Sequence, residues 1–185
     1  MKTKFVEERV DYSGRELRSH WLKECFGLEG DAVAGFAGSC RVVGEDLVDL
    51  EDFELGLTVE GDRMLHFIVE IFGVGLPGIV FAQRLLCATA RELINSGCGK
   101  ALVDRRGDDL FVGDRKLSVS VATVSGVSGL IHLGLNITRE GVPVKAASLD
   151  DMGVDYASLA EKVLSKFADE IDSCIDASKK VRPVS

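Results

Sequence analysis

The stretch "GDRKLSVSV", residues 113–121, sets a glycine–aspartate turn and two basic residues ahead of a run alternating serine with valine. Such alternation marks a β-strand, whose successive side chains point to opposite faces. Leu117, Val119 and Val121 fall on one face, suited to packing on helices, and Lys116, Ser118, Ser120 and Ala122 on the other. "GLIHLGLNI", residues 129–137, alternates likewise, with Ile131, Leu133, Leu135 and Ile137 against His132, Gly134 and Asn136. A hairpin over residues 125–129, centred on Gly126, sets Lys116 opposite Asn136, Ser118 opposite Gly134 and Ser120 opposite His132. That register gathers a cation, two hydroxyls, an amide and an imidazole on one face, with Gly134 leaving room for a ligand. A shift of one residue turns every side chain of one strand over. The bland outcome is an antiparallel sheet with one dry and one solvated face.

Elements to either side follow the same kind of reading. Ser13 is placed to cap a helix beginning at Gly14, with Glu16 completing a capping box and Leu17, Trp21 and Cys25 forming an apolar stripe. Residues 32–43 read as a strand. Residues 63–73 read as a buried strand with Leu65, Phe67, Val69 and Ile71 on one face. Pro77 suits the first turn of a helix running through residues 79–95 and stopping at Gly97 or Gly99. "ALVD", residues 101–104, reads as a short strand, and residues 138–155 mostly as loop. Tyr156, Leu159, Val163, Phe167, Ile171 and Cys174 mark an amphipathic C-terminal helix. Strands and helices mingle without strict βαβ alternation. The expected fold class is therefore α+β, a largely antiparallel mixed sheet packed by helices. One domain is expected over residues 1–178, with residues 179–185 a flexible tail.

Composition narrows the function. Of 185 residues, 46% are apolar and 28% charged, which describes a globular chain able to build its own core. A formal charge of −8 repels nucleic acid and anionic lipid, so neither is an expected partner. No apolar run is long enough to span a bilayer, and the charged first segment does not resemble a signal peptide, so a cytoplasmic location is expected. Cys25, Cys40, Cys87, Cys98 and Cys174 form no CxxC and fit reduced thiols.

"RRGDDLFVGDRKLSVSVATVSG", residues 105–126, resembles the central motif of the biotin and lipoate protein ligase superfamily. "IHLGLNI", residues 131–137, resembles that superfamily's following strand, and the long helix before residue 95 falls where its members carry one. The resemblance covers roughly residues 65–137. As a whole the chain is more similar to an uncharacterised, largely archaeal family thought to share that fold. What the resemblance implies is a domain related to the catalytic core of class II aminoacyl-tRNA synthetases. It implies a role for Lys116 as the catalytic lysine, contacting the carboxylate or acyl phosphate of a bound acid and stabilising negative charge. It implies that Asp108 and Asp109 sit near a nucleotide and its magnesium ion, with ATP and Mg2+ as cofactors. Where the ligases carry a basic Gly/Arg-rich loop, this chain has "GEDLVDLEDFELGLTVEGD", residues 44–62, which repels triphosphate unless metal ions intervene. A transferase branch of the superfamily uses a cysteine nucleophile, and Ser128 occupies the matching position.

The remaining candidates are charged or titratable. Asp46, Asp49, Glu51, Asp52 and Glu54 form a solvated acidic loop or a divalent-metal site, with Asp49 and Glu51 as its metal ligands. His66 shares a strand face with Glu70 and joins the ligand pocket if its strand joins the sheet. Arg105 and Arg106 are a ligand-binding pair for a phosphate or carboxylate, or simply exposed. The expected function is that of a ligase- or acyltransferase-related protein. It binds a small carboxylic acid or acyl-nucleotide ligand in a pocket of Lys116, Ser118, Ser120, His132 and Asn136. An acyl-carrier acceptor protein is a further expected partner, and a free edge strand is compatible with a homodimer. Two alternatives stay open: a non-catalytic member that binds a ligand or partner, and a divalent-metal-dependent enzyme built on residues 46–54.

Overall fold

The computed structural model describes residues 1–99 and 102–184. Five strands form the main sheet: β1 (Lys2–Val6), β2 (Ala32–Val42), β3 (Val59–Phe72), β7 (Ser118–Val124) and β8 (Ser128–Asn136). Their order is β1-β2-β3-β8-β7, with β1 parallel to β2 and every other pair antiparallel. Three short strands, β4 (Asp104–Arg106), β5 (Asp109–Val112) and β6 (Arg115–Lys116), make a second sheet. The helices are α1 (Trp21–Phe26), α2 (Leu50–Glu54), α3 (Leu76–Cys98) and α4 (Tyr156–Ser178). This is the α+β class with a mixed, largely antiparallel sheet that the alternation patterns indicate.

The sheet separates two apolar layers because its inner strands alternate apolar residues on both faces. Leu65, Phe67, Val69, Ile131, Leu133 and Leu135 pack with α3 and α4. Ala34, Phe36, Met64, Ile68 and Leu130 pack beneath Tyr12, Leu17, Trp21 and Leu22. Helix α3 takes Pro77 in its first turn and ends at Gly99, whose φ of 63° is the left-handed cap that favours glycine. Helix α4 is capped by Asp155, whose carboxylate accepts from Ser158 N–H at 2.8 Å. It buries Leu159, Val163, Phe167 and Ile171, while Cys174 stays exposed.

Two local expectations are corrected. Residues 14–20 are turns, and α1 starts only at Trp21. The capping contacts exist, since Glu16 accepts from Ser13 N–H at 2.7 Å, but His20 at φ 65° interrupts the helical path. His20 N–H instead donates to the buried Glu70 carboxylate at 2.9 Å, which also accepts from Ser128 Oγ at 2.7 Å. Tertiary hydrogen bonding thus overrides the local helix signal. The strand expected over 101–104 begins at Asp104; Ala101 lies outside the described residues, as does Ser185 of the tail.

The third correction concerns β7. Ser118 pairs with Leu135 and Ser120 with Leu133, while Val119 pairs with Gly134 and Val121 with His132. The register is one residue from the expected one, so the valines share the His132 face and the serines turn toward α3. The hairpin sets this register: it closes at Val124 and Gly129, with Ser125 N–H bonded to Ser128 O, one residue away from a turn centred on Gly126. Leu117, at the other end of β7, joins the two sheets, its N–H bonding Leu110 O and its carbonyl accepting from Asn136 N–H. Leu117 and Ser118 are neighbours in sequence and both are buried, at 0% and 1% exposure.

On the other side of the sheet, residues 10–12 cross β2 where its pairing with β3 shifts between Gly38 and Cys40. A Cβ on Gly38 would stand 1.9 Å from the Val10 carbonyl oxygen. Gly38→Ala is expected to cost about 1–3 kcal/mol, as for other overpacked sites. A urea titration reads this as a lower midpoint at unchanged slope. A midpoint equal to that of the unsubstituted chain contradicts the close approach.

Candidate functional site

A cleft of about 380 Å³ opens where β6, β7 and β8 face the segment that joins β2 to β3. Its apolar wall includes Val42, Val59, Val119, Val121 and Val142, and its floor includes Tyr12 and His132. Asp46, Asp49, Glu51, Asp52 and Glu60 rim one side. Among the described lining residues, Lys116 is the one basic side chain.

Lys116 is placed by its backbone. Its N–H donates to Lys145 O and its carbonyl accepts from Ala147 N–H, both at 2.9 Å. Asn136 Nδ2 donates to the Lys116 carbonyl at 3.2 Å and to the Ala147 carbonyl at 3.1 Å. Asn136 therefore ties strand β8 to the segment carrying the lysine. The Lys116 ammonium lies 2.9 Å from an Asp109 carboxylate oxygen, with both side chains about a third exposed. Burial pushes the Asp109 carboxyl up from its usual range, and the neighbouring Lys116 acts against that rise. Asp108 faces a different set: Arg84 Nη1 and Gln83 Nε2 each donate to it at 2.9 Å, both from α3.

The expected site residues divide into three groups. Lys116, Asn136 and His132 meet at the cleft with usable polar atoms. Ser118 and Ser120 also border it, but their hydroxyls are engaged inward: Ser118 Oγ accepts from Leu110 N–H at 2.8 Å, and Ser120 Oγ from Gln83 Nε2 at 2.9 Å. Arg105 and Arg106 do not line it; they donate to the carbonyls of Gly107 and Gly113, and Arg106 lies over the Phe111 ring. Strand β3 does join the sheet and His66 shares the His132 face, yet His66 sits behind His132. Sequence patterns did not single out Tyr12, which lines the cleft, nor Gln83 and Arg84, which hold Asp108. They lie outside the motif, and only the tertiary fold brings them to it.

Magnesium does not fit the residues the resemblance implies. Asp108 is held by Gln83 and Arg84, and Asp109 by Lys116. Asp49 is the cap of α2, accepting from Glu51 N–H at 2.9 Å and Asp52 N–H at 3.1 Å. Among the described residues, no group of three or more His, Cys, Asp or Glu side chains converges in a way that could hold a metal ion.

Two buried imidazoles complete the floor. His66 Nδ1 and His132 Nε2 are 3.0 Å apart, and the Tyr12 ring stacks on His132 with centroids 3.7 Å apart. Burial pushes His66 down to about 4 from 6.5, and burial also holds His132 well below its ordinary value, helped by His66 beside it. In this window the unfolded chain binds more protons than the folded one, so stability is complete above pH 6.5 and is lost as pH falls toward 4. Unfolding free energies from urea titrations are expected to fall by up to about a few kcal/mol on acidification from pH 7 to 5, with a lower midpoint. The fall is expected to be smaller in His66→Asn. Midpoints flat across that range, or a slope unchanged by the substitution, would contradict a buried neutral pair.

Comparison with solved structures places this geometry. A protein of unknown function from Pyrococcus horikoshi superposes with a TM-score of 0.95 at 40% identity, covering 100% of this chain and 99% of that one. A putative lipoate protein ligase from T. acidophilum, solved with bound lipoic acid, gives a TM-score of 0.65 at 12% identity over 93% of this chain and 86% of that one. The biotin protein ligase from Aquifex aeolicus, in complex with biotin and ATP, gives 0.59 at 16% identity over 92% and 70%. The fold is thus that of the biotin and lipoate protein ligases, and at such identities the likeness is one of fold. Among the described residues no helix is long and apolar enough to cross a membrane. Matched from residue 1 to residue 182, the chain belongs to the family described as a domain of unknown function, DUF366.

Proposed function

We propose that the cleft binds a small carboxylic acid or its acyl derivative, the carboxylate on Lys116 and the apolar body against Val119 and Val121. One observation carries this reading: a single ammonium among apolar walls, paired 2.9 Å away with a carboxyl that burial disfavours as an anion. A ligand carboxylate can replace Asp109 on Lys116, because Asp109 pays a reduced penalty for taking up a proton there. Bound to an acyl oxygen, the same ammonium stabilises the negative charge that develops when the acyl carbon is attacked. The neighbours of the same fold support the class of ligand: one is a putative lipoate protein ligase with bound lipoic acid, another a biotin protein ligase with biotin and ATP. An acyl-carrier protein is the acceptor that such chemistry implies. The acidic rim opposes a free triphosphate, so activation by ATP is kept as an arm of the test and not as part of the reading.

Isothermal titration with octanoate, lipoate and biotin decides it. At least one acid is expected to bind, and Lys116→Met to weaken it about tenfold or more, the loss expected for a charge-assisted hydrogen bond. Asp109→Asn removes the competing anion and is expected to leave binding equal or tighter. Release of pyrophosphate with ATP and magnesium would extend the reading to acid activation. Equal affinity in Lys116→Met contradicts it.

A further inference from the structure

We propose that the outer edge of β7, with the start of α3 beside it, is the contact surface between two copies of this chain, which pair β7 against β7 across a two-fold axis at Ala122. The inference is independent of what the cleft binds.

The two edges of the main sheet are unlike. They are β1 and β7, and an open edge presents unpaired N–H and C=O groups to any other strand. Chains guard such edges with charged side chains, above all lysine, or with proline. Strand β1 is guarded in this way, since Lys2 and Lys4 are exposed along it. Strand β7, with the sequence SVSVATV, carries neither charge nor proline. Its pairing with β8 settles which groups are open. Ser125 N–H bonds Ser128 O and Asn136 N–H bonds Leu117 O, so in the antiparallel alternation the odd-numbered residues face β8. The N–H and C=O groups of Ser120, Ala122 and Val124 therefore point outward, and among the described residues no strand pairs with that side.

The flank of this edge is apolar. Residues 71–83 and 117–138 contain no Asp, Glu, Lys or Arg, in a chain of which 28% is charged. The fold brings both stretches together. Gly73 N–H bonds Val127 O, a Cβ on Gly129 would meet Val74 and Ile79, and Gln83 donates to Ser120 Oγ. The start of α3 thus runs alongside β7 and its turn. Phe81 stands three residues before Arg84, which reaches out to Asp108 just ahead of β5, so both leave α3 on the same side. Leu76, Val124 and Val127 are exposed there, and Phe81 is 72% exposed. An open phenylalanine beside an unguarded edge marks a contact surface.

A second copy fits this surface for two reasons. With a formal charge of −8 the chain repels its own copies, and least where a face carries no charge. The open groups also match themselves. About an axis at Ala122, the two Ala122 residues exchange N–H···O bonds, and each Ser120 exchanges them with the other copy's Val124. Such a contact uses the same patch on both copies, so it closes at the dimer. It joins the two main sheets into one and covers Phe81. It also holds both sides of the strand whose Val119 and Val121 line the cleft.

Sedimentation equilibrium of the full chain at micromolar concentration is expected to find the mass of a dimer. Phe81→Glu puts a charge at an exposed position and is expected to raise the dissociation constant about tenfold or more. Ala122→Pro removes an outward N–H, leaves the bonds to β8 in place, and is expected to do the same. Urea midpoints read whether each variant folds, and Phe81→Glu decides alone where Ala122→Pro does not. Leu55→Glu, at an exposed apolar side chain on the acidic segment, is expected to leave the dimer unchanged. An unsubstituted chain that is monomeric overturns the inference. So does a dimer that survives Phe81→Glu, or one that Leu55→Glu dissociates.

Discussion

The site depends on the break at Leu117. Strand β6 ends at Lys116 and β7 starts at Ser118, and between them the buried Leu117 hands the chain from one sheet to the other, its N–H bonded to Leu110 O and its carbonyl accepting from Asn136 N–H. Without it, β6 and β7 would run as one strand and Lys116 would fall in phase with Ser118 and Ser120, toward α3. With it, the lysine belongs to the small sheet at the cleft, while the serines belong to the main sheet's helical face. The junction is well held, because Leu117 is fully buried in the larger apolar layer and Asn136 braces the segment from β8.

Electrostatics in the cleft follow from that placement. One ammonium stands among many carboxylates, several of which are engaged from outside, such as Asp46 by Arg15 and Glu60 by Arg41. Asp108 is fixed by α3 and is not free to compete for Lys116. Asp109 alone answers the lysine, at a depth that makes its own charge expensive. The proposed reading follows from this: a guest with one negative charge and an apolar body would suit such a cleft better than a highly charged one. The family's fold is shared with enzymes that handle biotin and lipoate, yet the loop over the cleft has the opposite charge from the basic one that the sequence resemblance leads one to expect.

Much of this was legible in the sequence. The 2-residue period of 63–73 and 129–137 placed both inner strands and their faces, and Pro77 with Gly99 bounded α3. Lys116, Asn136 and His132 were grouped by an assumed hairpin register, and they do border one cleft although that register is off by one residue. Register was not legible: nothing in "VSGVSG", residues 124–129, fixes whether the hairpin closes on Val124 and Gly129 or one residue away. Nor was the helix start at Trp21, because the hydrogen bond from His20 N–H to Glu70 joins residues fifty positions apart in the chain. Tyr12 carried no pattern at all. Its position over His132 comes from the crossing of residues 10–12 above Gly38, a contact that only the folded chain creates.

A crystal structure of the chain grown with octanoate tests the central claim most directly. The account predicts the carboxylate within hydrogen-bonding distance of Lys116 Nζ, Asp109 turned away from it, and the alkyl chain along Val119 and Val121. An intact Lys116–Asp109 pair beside a cleft that excludes the acid, or an acid bound elsewhere, would contradict it.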